Sequence, residues 1–139
     1  YIEDEIRQIK AAVGDHILKV IIETCLLTDE EKIALCRCVV NEGADFIKTS
    51  TGKESISATP EAALIMCEAI REYYKETGRK VGFKAAGGID NVQKALAYYT
   101  IVKETLGEEW LNNKLFRIGT SRLANSLLSE IVGEEVKIF

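Results

Sequence analysis

Two lysines interrupt apolar segments in which a charge is costly. Lys48 lies in Ala44-Asp45-Phe46-Ile47-Lys48-Thr49-Ser50-Thr51 and Lys84 in Val81-Gly82-Phe83-Lys84-Ala85-Ala86, and both segments read as β-strands. Lysine is disfavoured in strands, and a sheet covered on both faces leaves its ammonium no water. Neighbouring strands lie about 4.8 Å apart, so two lysines on one face stand close. Like charge then makes protonation of one unfavourable and lowers its pKa. A neutral amine attacks carbonyls, so the pair is a device for making a Schiff-base lysine. One strand lysine alone would read as a side chain snorkelling into water. Two of them, each beside an exit loop rich in Ser/Thr or Gly, favour the chemical reading.

A second constellation suits an anion. Gly87-Gly88 follows the strand of Lys84, and Gly119-Thr120-Ser121 follows the next strand. Glycines let backbone N–H groups approach a ligand, and the helix after Gly119 would aim its positive end at a phosphate. Each glycine pair alone is ordinary turn chemistry; together they make a candidate site. Lys53 and Arg122 read as solvated side chains that can assist an anion. Glu23 either faces the site or makes a structural ion pair, and Lys19 pairs or snorkels. Trp110 and Phe116 read as core, Tyr73 and Tyr74 as packing or surface.

The elements that must hold these residues alternate between strand and helix. Tyr1 to Val13 carries Ile2, Ile6, Ile9 and Val13 at helical spacing, and Leu18 to Thr24 is a short β-branched strand. Thr28-Asp29-Glu30-Glu31 has the form of a capping box, opening a helix to about Asn41 with Gly43 at its exit. Thr59-Pro60-Glu61 is a capping hydroxyl, a first-turn proline and an acid against the dipole, with Gly78 closing the helix. Asp90 is expected to cap a helix through Leu106. Leu115 to Gly119 is a fourth strand, and Ser121 is expected to open the last helix, to about Ile131. Helical crossovers of this length imply an α/β fold with a parallel sheet, apolar on both faces. Four βα units are half of a closed (β/α)8 barrel, whereas a doubly wound open sheet fits the length alone.

Composition narrows the class. With 139 residues, 47% of them hydrophobic, the chain can bury one core, and no linker marks a domain boundary within residues 1–139. A net charge of −4 with mixed signs argues against a nucleic-acid surface. No apolar run approaches the roughly 20 residues of a membrane span. The acidic start, Tyr1-Ile2-Glu3-Asp4-Glu5, is unlike a signal peptide, and its lack of Met points to a trimmed chain. Cys25, Cys36, Cys38 and Cys67 read as reduced thiols of a cytoplasmic protein. A single histidine, His16, supplies no His-rich metal site, and nothing resembles a serine triad, a P-loop or a zinc cluster.

The strings Leu18 to Thr24, Ala44 to Gly52, Ala58-Thr59-Pro60-Glu61 and Val81 to Ile89 occur in the order seen in deoxyribose-phosphate aldolases, which the chain resembles over nearly its whole length. Phe46-Ile47-Lys48-Thr49-Ser50-Thr51-Gly52 is the most specific of them. The resemblance implies a class I aldolase of deoxyribonucleotide catabolism, needing no cofactor or metal, on the C-terminal half (about strands 5–8) of a (β/α)8 barrel. It would cleave 2-deoxy-D-ribose 5-phosphate reversibly to acetaldehyde and glyceraldehyde 3-phosphate. Lys48 would form the imine and Lys84 would perturb it and move protons. Gly87, Gly88, Gly119 and Ser121 would belong to the phosphate cradle, with Thr51 and Lys53 in the substrate-facing loop. Arg122 stands where the family often has a second serine. The first four strands, including an aspartate of the proton relay, have no counterpart, so the expected partners are a missing N-terminal half or a second copy, besides the phosphosugar. The alternatives are a non-catalytic half-barrel binding or assembly module and a transaldolase-like enzyme.

Overall fold

The computed structural model describes residues 1–138. Five helices alternate with four strands: α1 Ile2–Val13, β1 Lys19–Ile21, α2 Asp29–Asn41, β2 Phe46–Lys48, α3 Pro60–Thr77, β3 Gly82–Ala86, α4 Val92–Leu106, β4 Phe116–Gly119 and α5 Leu123–Val132. Short 3-10 turns at Thr24–Leu26 and Glu108–Trp110 complete the connections. The strands form one parallel sheet in the order β1-β2-β3-β4. Every crossover therefore steps the same way. A doubly wound sheet reverses direction at a switch point, and this sheet has none.

Local signals account for most element ends. Thr28 accepts from the Glu31 N–H while the Glu31 carboxylate accepts from the Thr28 N–H, a complete capping box, and such a cap contributes about 1 kcal/mol. Thr59 caps α3 through the Ala62 N–H, Pro60 fills its first position, and Gly78 ends it at φ 72°. Two expected starts are corrected. Asn91 rather than Asp90 caps α4, accepting from the Lys94 N–H, while Asp90 pairs with the Lys94 ammonium at 2.8 Å. Helix α5 begins at Leu123, and Thr120 rather than Ser121 receives the free N–H groups, those of Arg122 and Leu123. A hydroxyl two or three residues before a helix can accept those protons as well as its neighbour, and here backbone geometry chose Thr120.

Among the described residues, helices cover one face of the sheet. Strand alternation puts Val20, Ile22, Ile47, Phe83, Ala85, Phe116 and Ile118 on one face, where they join the core with Val39 and Val40 of α2, Met66 and Ile70 of α3 and Val102 of α4. Trp110 closes this core, its indole N–H donating to the Val81 carbonyl and its ring edge-on to Tyr74. The opposite face carries no helix. It presents Lys19, Ile21, Phe46, Lys48, Gly82, Lys84, Ala86, Arg117 and Gly119, so both lysines lie on the face that no helix of the described residues covers. At the N-terminal end of the strands, Arg79 donates to the carbonyls of Val40, Gly43 and Ala44, and Asp45 binds Lys10 and the Leu18 N–H.

Candidate active site

Parallel pairing sets the central geometry. Lys48 of β2 stands opposite Lys84 of β3, and Lys84 stands opposite Arg117 of β4, so three cations occupy one rung of the uncovered face. Lys19 lies one rung nearer the strand N-termini, opposite Phe46. None of these four forms an ion pair with a carboxylate among the described residues. Partial burial pushes the Lys84 amine below the ordinary lysine range, and the charges of Lys48, Lys19 and Arg117 act in the same direction. Burial, then Arg117 and Lys48, lowers Lys19 as well. The like-charge effect expected from the sequence is thus carried visibly by Lys84.

Two glycines make this rung possible. A Cβ on Gly82 would stand 2.4 Å from the Phe46 ring, so only glycine lets that ring lie against β3. A Cβ on Gly119 would meet the Lys84 Cε at 3.0 Å. Gly119 ends β4 beneath the Lys84 stem, and its carbonyl accepts from the Gly87 N–H at 3.3 Å.

Beyond the strand ends, a cavity of about 240 Å³ is lined by Gly87, Gly88, Ile89, Asp90, Thr120, Ser121 and Arg122. The two loops singled out in the sequence therefore meet. Gly87 and Gly88 both adopt positive φ, 90° and 75°, and Gly87 passes so close to Ser57 that a Cβ there would meet it at 2.4 Å. Gly88 is exposed, as an anion cradle requires, while the Gly87 N–H is held by the Gly119 carbonyl; Arg122 also lines the cavity. Asp90 is the one acid in this lining, and the Lys94 hydrogen bond holds its carboxyl below the usual range.

Thr51 and Lys53 belong to a different loop and do not line that cavity. The Thr51 hydroxyl and N–H both donate to the Glu23 carboxylate, and the same hydroxyl accepts from the Lys53 N–H. Glu23 is the one non-glycine residue with positive φ among the described residues, at 48°, and such strain is held only where the surroundings fix it. Glu23 makes no ion pair among the described residues and clamps the loop after β2.

Three participants were not legible in the sequence. Arg117 completes the cationic rung. Thr49, fully buried, accepts from the Ala86 N–H and donates to the Ala86 carbonyl, replacing a backbone rung where β2 and β3 part. Ser50 is also fully buried, two residues beyond Lys48. A polar pair directly after an apolar strand was the available signal for both.

A family model described as DeoC/LacD family aldolase matches residues 2–109. The chain belongs to this family. It is 48% identical over 131 residues to the deoxyribose-phosphate aldolase of Mus musculus, covering 92% of the chain and 39% of that protein. To the deoxyribose-phosphate aldolase of Homo sapiens it is 46% identical over 131 residues, covering 92% and 41%. The solved structure of the tetrameric deoxyribose-phosphate aldolase of Aeropyrum pernix superposes with a TM-score of 0.67 at 26% identity, over 94% of the chain and 49% of that one. The chain thus spans less than half the length of the curated relatives it matches. No helix of the described residues is long and apolar enough to cross a membrane.

Proposed function

We propose that the chain carries the Schiff-base half of a deoxyribose-phosphate aldolase. The observation that carries this reading is the pairing of Lys48 with Lys84 on one rung of an uncovered sheet face, below two glycine loops that meet around a cavity. Lys48 attacks the C1 aldehyde of 2-deoxy-D-ribose 5-phosphate, and loss of water gives the protonated imine. Removal of the C3 hydroxyl proton breaks the C2–C3 bond, its electron pair passing into the imine to leave an enamine and free glyceraldehyde 3-phosphate. Protonation of the enamine at C2 and hydrolysis release acetaldehyde and restore the amine. Lys84, with its lowered proton affinity, shuttles the protons. Gly87, Gly88, Ser121 and Arg122 hold the phosphate, and Lys53 and Thr51 contribute from the loop clamped by Glu23.

The sheet itself is read as four consecutive strands of a (β/α)8 barrel. Its unidirectional order, its uncovered face and its unpaired β1 and β4 edges all suit closure by further strands. Ile21 at the β1 edge and Ile2 and Ile9 on α1 are apolar and exposed, as surfaces awaiting cover are. The strands that close the barrel come from a longer polypeptide or from a second copy. Four free thiols suit a cytoplasmic setting.

Incubation with deoxyribose 5-phosphate followed by borohydride reduction tests the reading. A sugar-derived mass adduct on Lys48, absent in Lys48→Ala, is the expected result. A folded sample yielding no adduct on Lys48 refutes it for this chain, and a stable dimer without adduct would favour a non-catalytic assembly module.

A further inference from the structure

Phe46 is only 1% exposed although it lies on the face that no helix covers. Its cover is made of cations. The Lys19 Nζ lies 5.1 Å from the ring centroid and the Arg117 Cζ 5.2 Å from it. The ring lies against Gly82, where any side chain would displace it. A guanidinium over an aromatic face is held by the ring quadrupole, and Arg117 is held at a second point as well: its Nε donates to the Asn113 carbonyl at 2.8 Å. Gly82, Phe46 and Arg117 thus form a stack fixed from below, and the next residue along the rung is Lys84.

We propose that Arg117, seated on Phe46, is a positioning residue for Lys84: a permanent cation that keeps the neighbouring amine directed toward Lys48 and ready to take up a proton. The inference rests on the aldolase reading for its purpose but not for its physics. Lysine in place of Arg117 would be free to lose its own proton; arginine is not. The groups facing Lys84 are Lys48 from β2, Arg117 from β4 and, a rung away, Lys19 from β1, and no carboxylate of the described residues pairs with it. Glu23, the acid nearest in the chain to this end of β1, is bound to Thr51. The Lys84 stem lies over Gly119, in space that a side chain there would take. Burial and the three cations act together on its amine, and Arg117 is the member that pH cannot switch off.

The test is a titration that needs no turnover. Lysines are reductively methylated with 13C, the Lys84 resonance is assigned by its loss in Lys84→Arg, and its midpoint is followed by NMR. Arg117→Met removes the charge and keeps the stem; the Lys84 midpoint should rise by on the order of half a pH unit. Arg117→Lys should return it to near the parent value while the new amine is charged. Phe46→Leu, which frees the guanidinium, should raise it by less. An unchanged Lys84 midpoint in folded Arg117→Met overturns the proposal. If that variant does not fold, an unchanged midpoint in Phe46→Leu does so. A residue that merely anchored the β4 entry would lower stability in these variants and leave the midpoint where it was. Borohydride trapping run in parallel separates the two claims: a shifted midpoint without any Lys48 adduct in the parent would defeat the aldolase reading alone, and an adduct with an unmoved midpoint would defeat this inference alone.

Discussion

Gly119 makes the room that Lys84 occupies: a Cβ built there would lie 3.0 Å from the Lys84 Cε and 2.9 Å from the Ala86 Cβ. The lysine stem can yield, but Ala86 is fixed in β3. Gly119→Ala should therefore separate β3 from β4, at a cost of about 1–3 kcal/mol by denaturant melting. The larger effect should be on chemistry, because the displaced stem carries the amine. Trapping of the Lys48 imine should slow at least tenfold, and an unaltered trapping rate in folded Gly119→Ala would contradict this account of the rung.

Lys84 should also cost the protein stability. Its proton affinity is lowered on folding, so between its folded and unfolded pKa values the unfolded chain binds more protons. Stability then rises with pH across that window, and below it the penalty is fully present. Lys84→Met should melt above the parent at neutral pH, with the gap closing as pH approaches the ordinary lysine value of 10.5. On the proposed aldolase function, turnover in the same variant should fall by about 10²–10⁴, the usual worth of proton transfer. A Lys84→Met protein less stable than the parent at pH 7 would refute the linkage.

The Thr49 hydroxyl serves both the N–H and the carbonyl of Ala86. Thr49→Val keeps the shape and leaves the buried Ala86 N–H unmatched, while the Ala86 carbonyl keeps the Ala58 N–H; this should cost about 1–3 kcal/mol. Thr49→Ser should recover most of it. Equal stability of the valine variant and the parent would show that β2 and β3 do not need this clasp.

Glu23 separates strain from clamping. Glu23→Gly relieves the left-handed backbone and also removes the acceptor for Thr51, whereas Glu23→Ala removes the acceptor and keeps the strain. Amide exchange at Thr51 should accelerate in both, and the alanine variant should be the less stable by about 1 kcal/mol. Equal stability of the two would mean that the φ of 48° stores nothing.

What was legible in the sequence followed the range of the signals. The Thr28 and Thr59 starts, the Gly78 stop and the strand positions of Lys48 and Lys84 rest on contacts a few residues apart, and each was found as read. The opening of α5 was misplaced because Thr120 and Ser121 offer the same hydroxyl, and only backbone direction distinguishes them. Arg117 was invisible because a strand arginine reads as a snorkelling side chain until Phe46 and Asn113, from elsewhere, fix it. Glu23 depended likewise on Thr51, 28 positions away. The uncovered face escaped notice because Phe46, Ile21 and Ala86 are as apolar as the core residues that alternate with them.

The strand order β1-β2-β3-β4 has a temporal meaning. Each new strand pairs with the one made just before it, so nothing synthesised early waits for a late partner across the sheet. Contacts between α2 and α3 and between α3 and α4 follow the same succession. Loop-closure cost stays that of one βα unit at every step. The chain can be laid down on the ribosome as a growing staircase, with β1 and β4 its two open edges among the described residues.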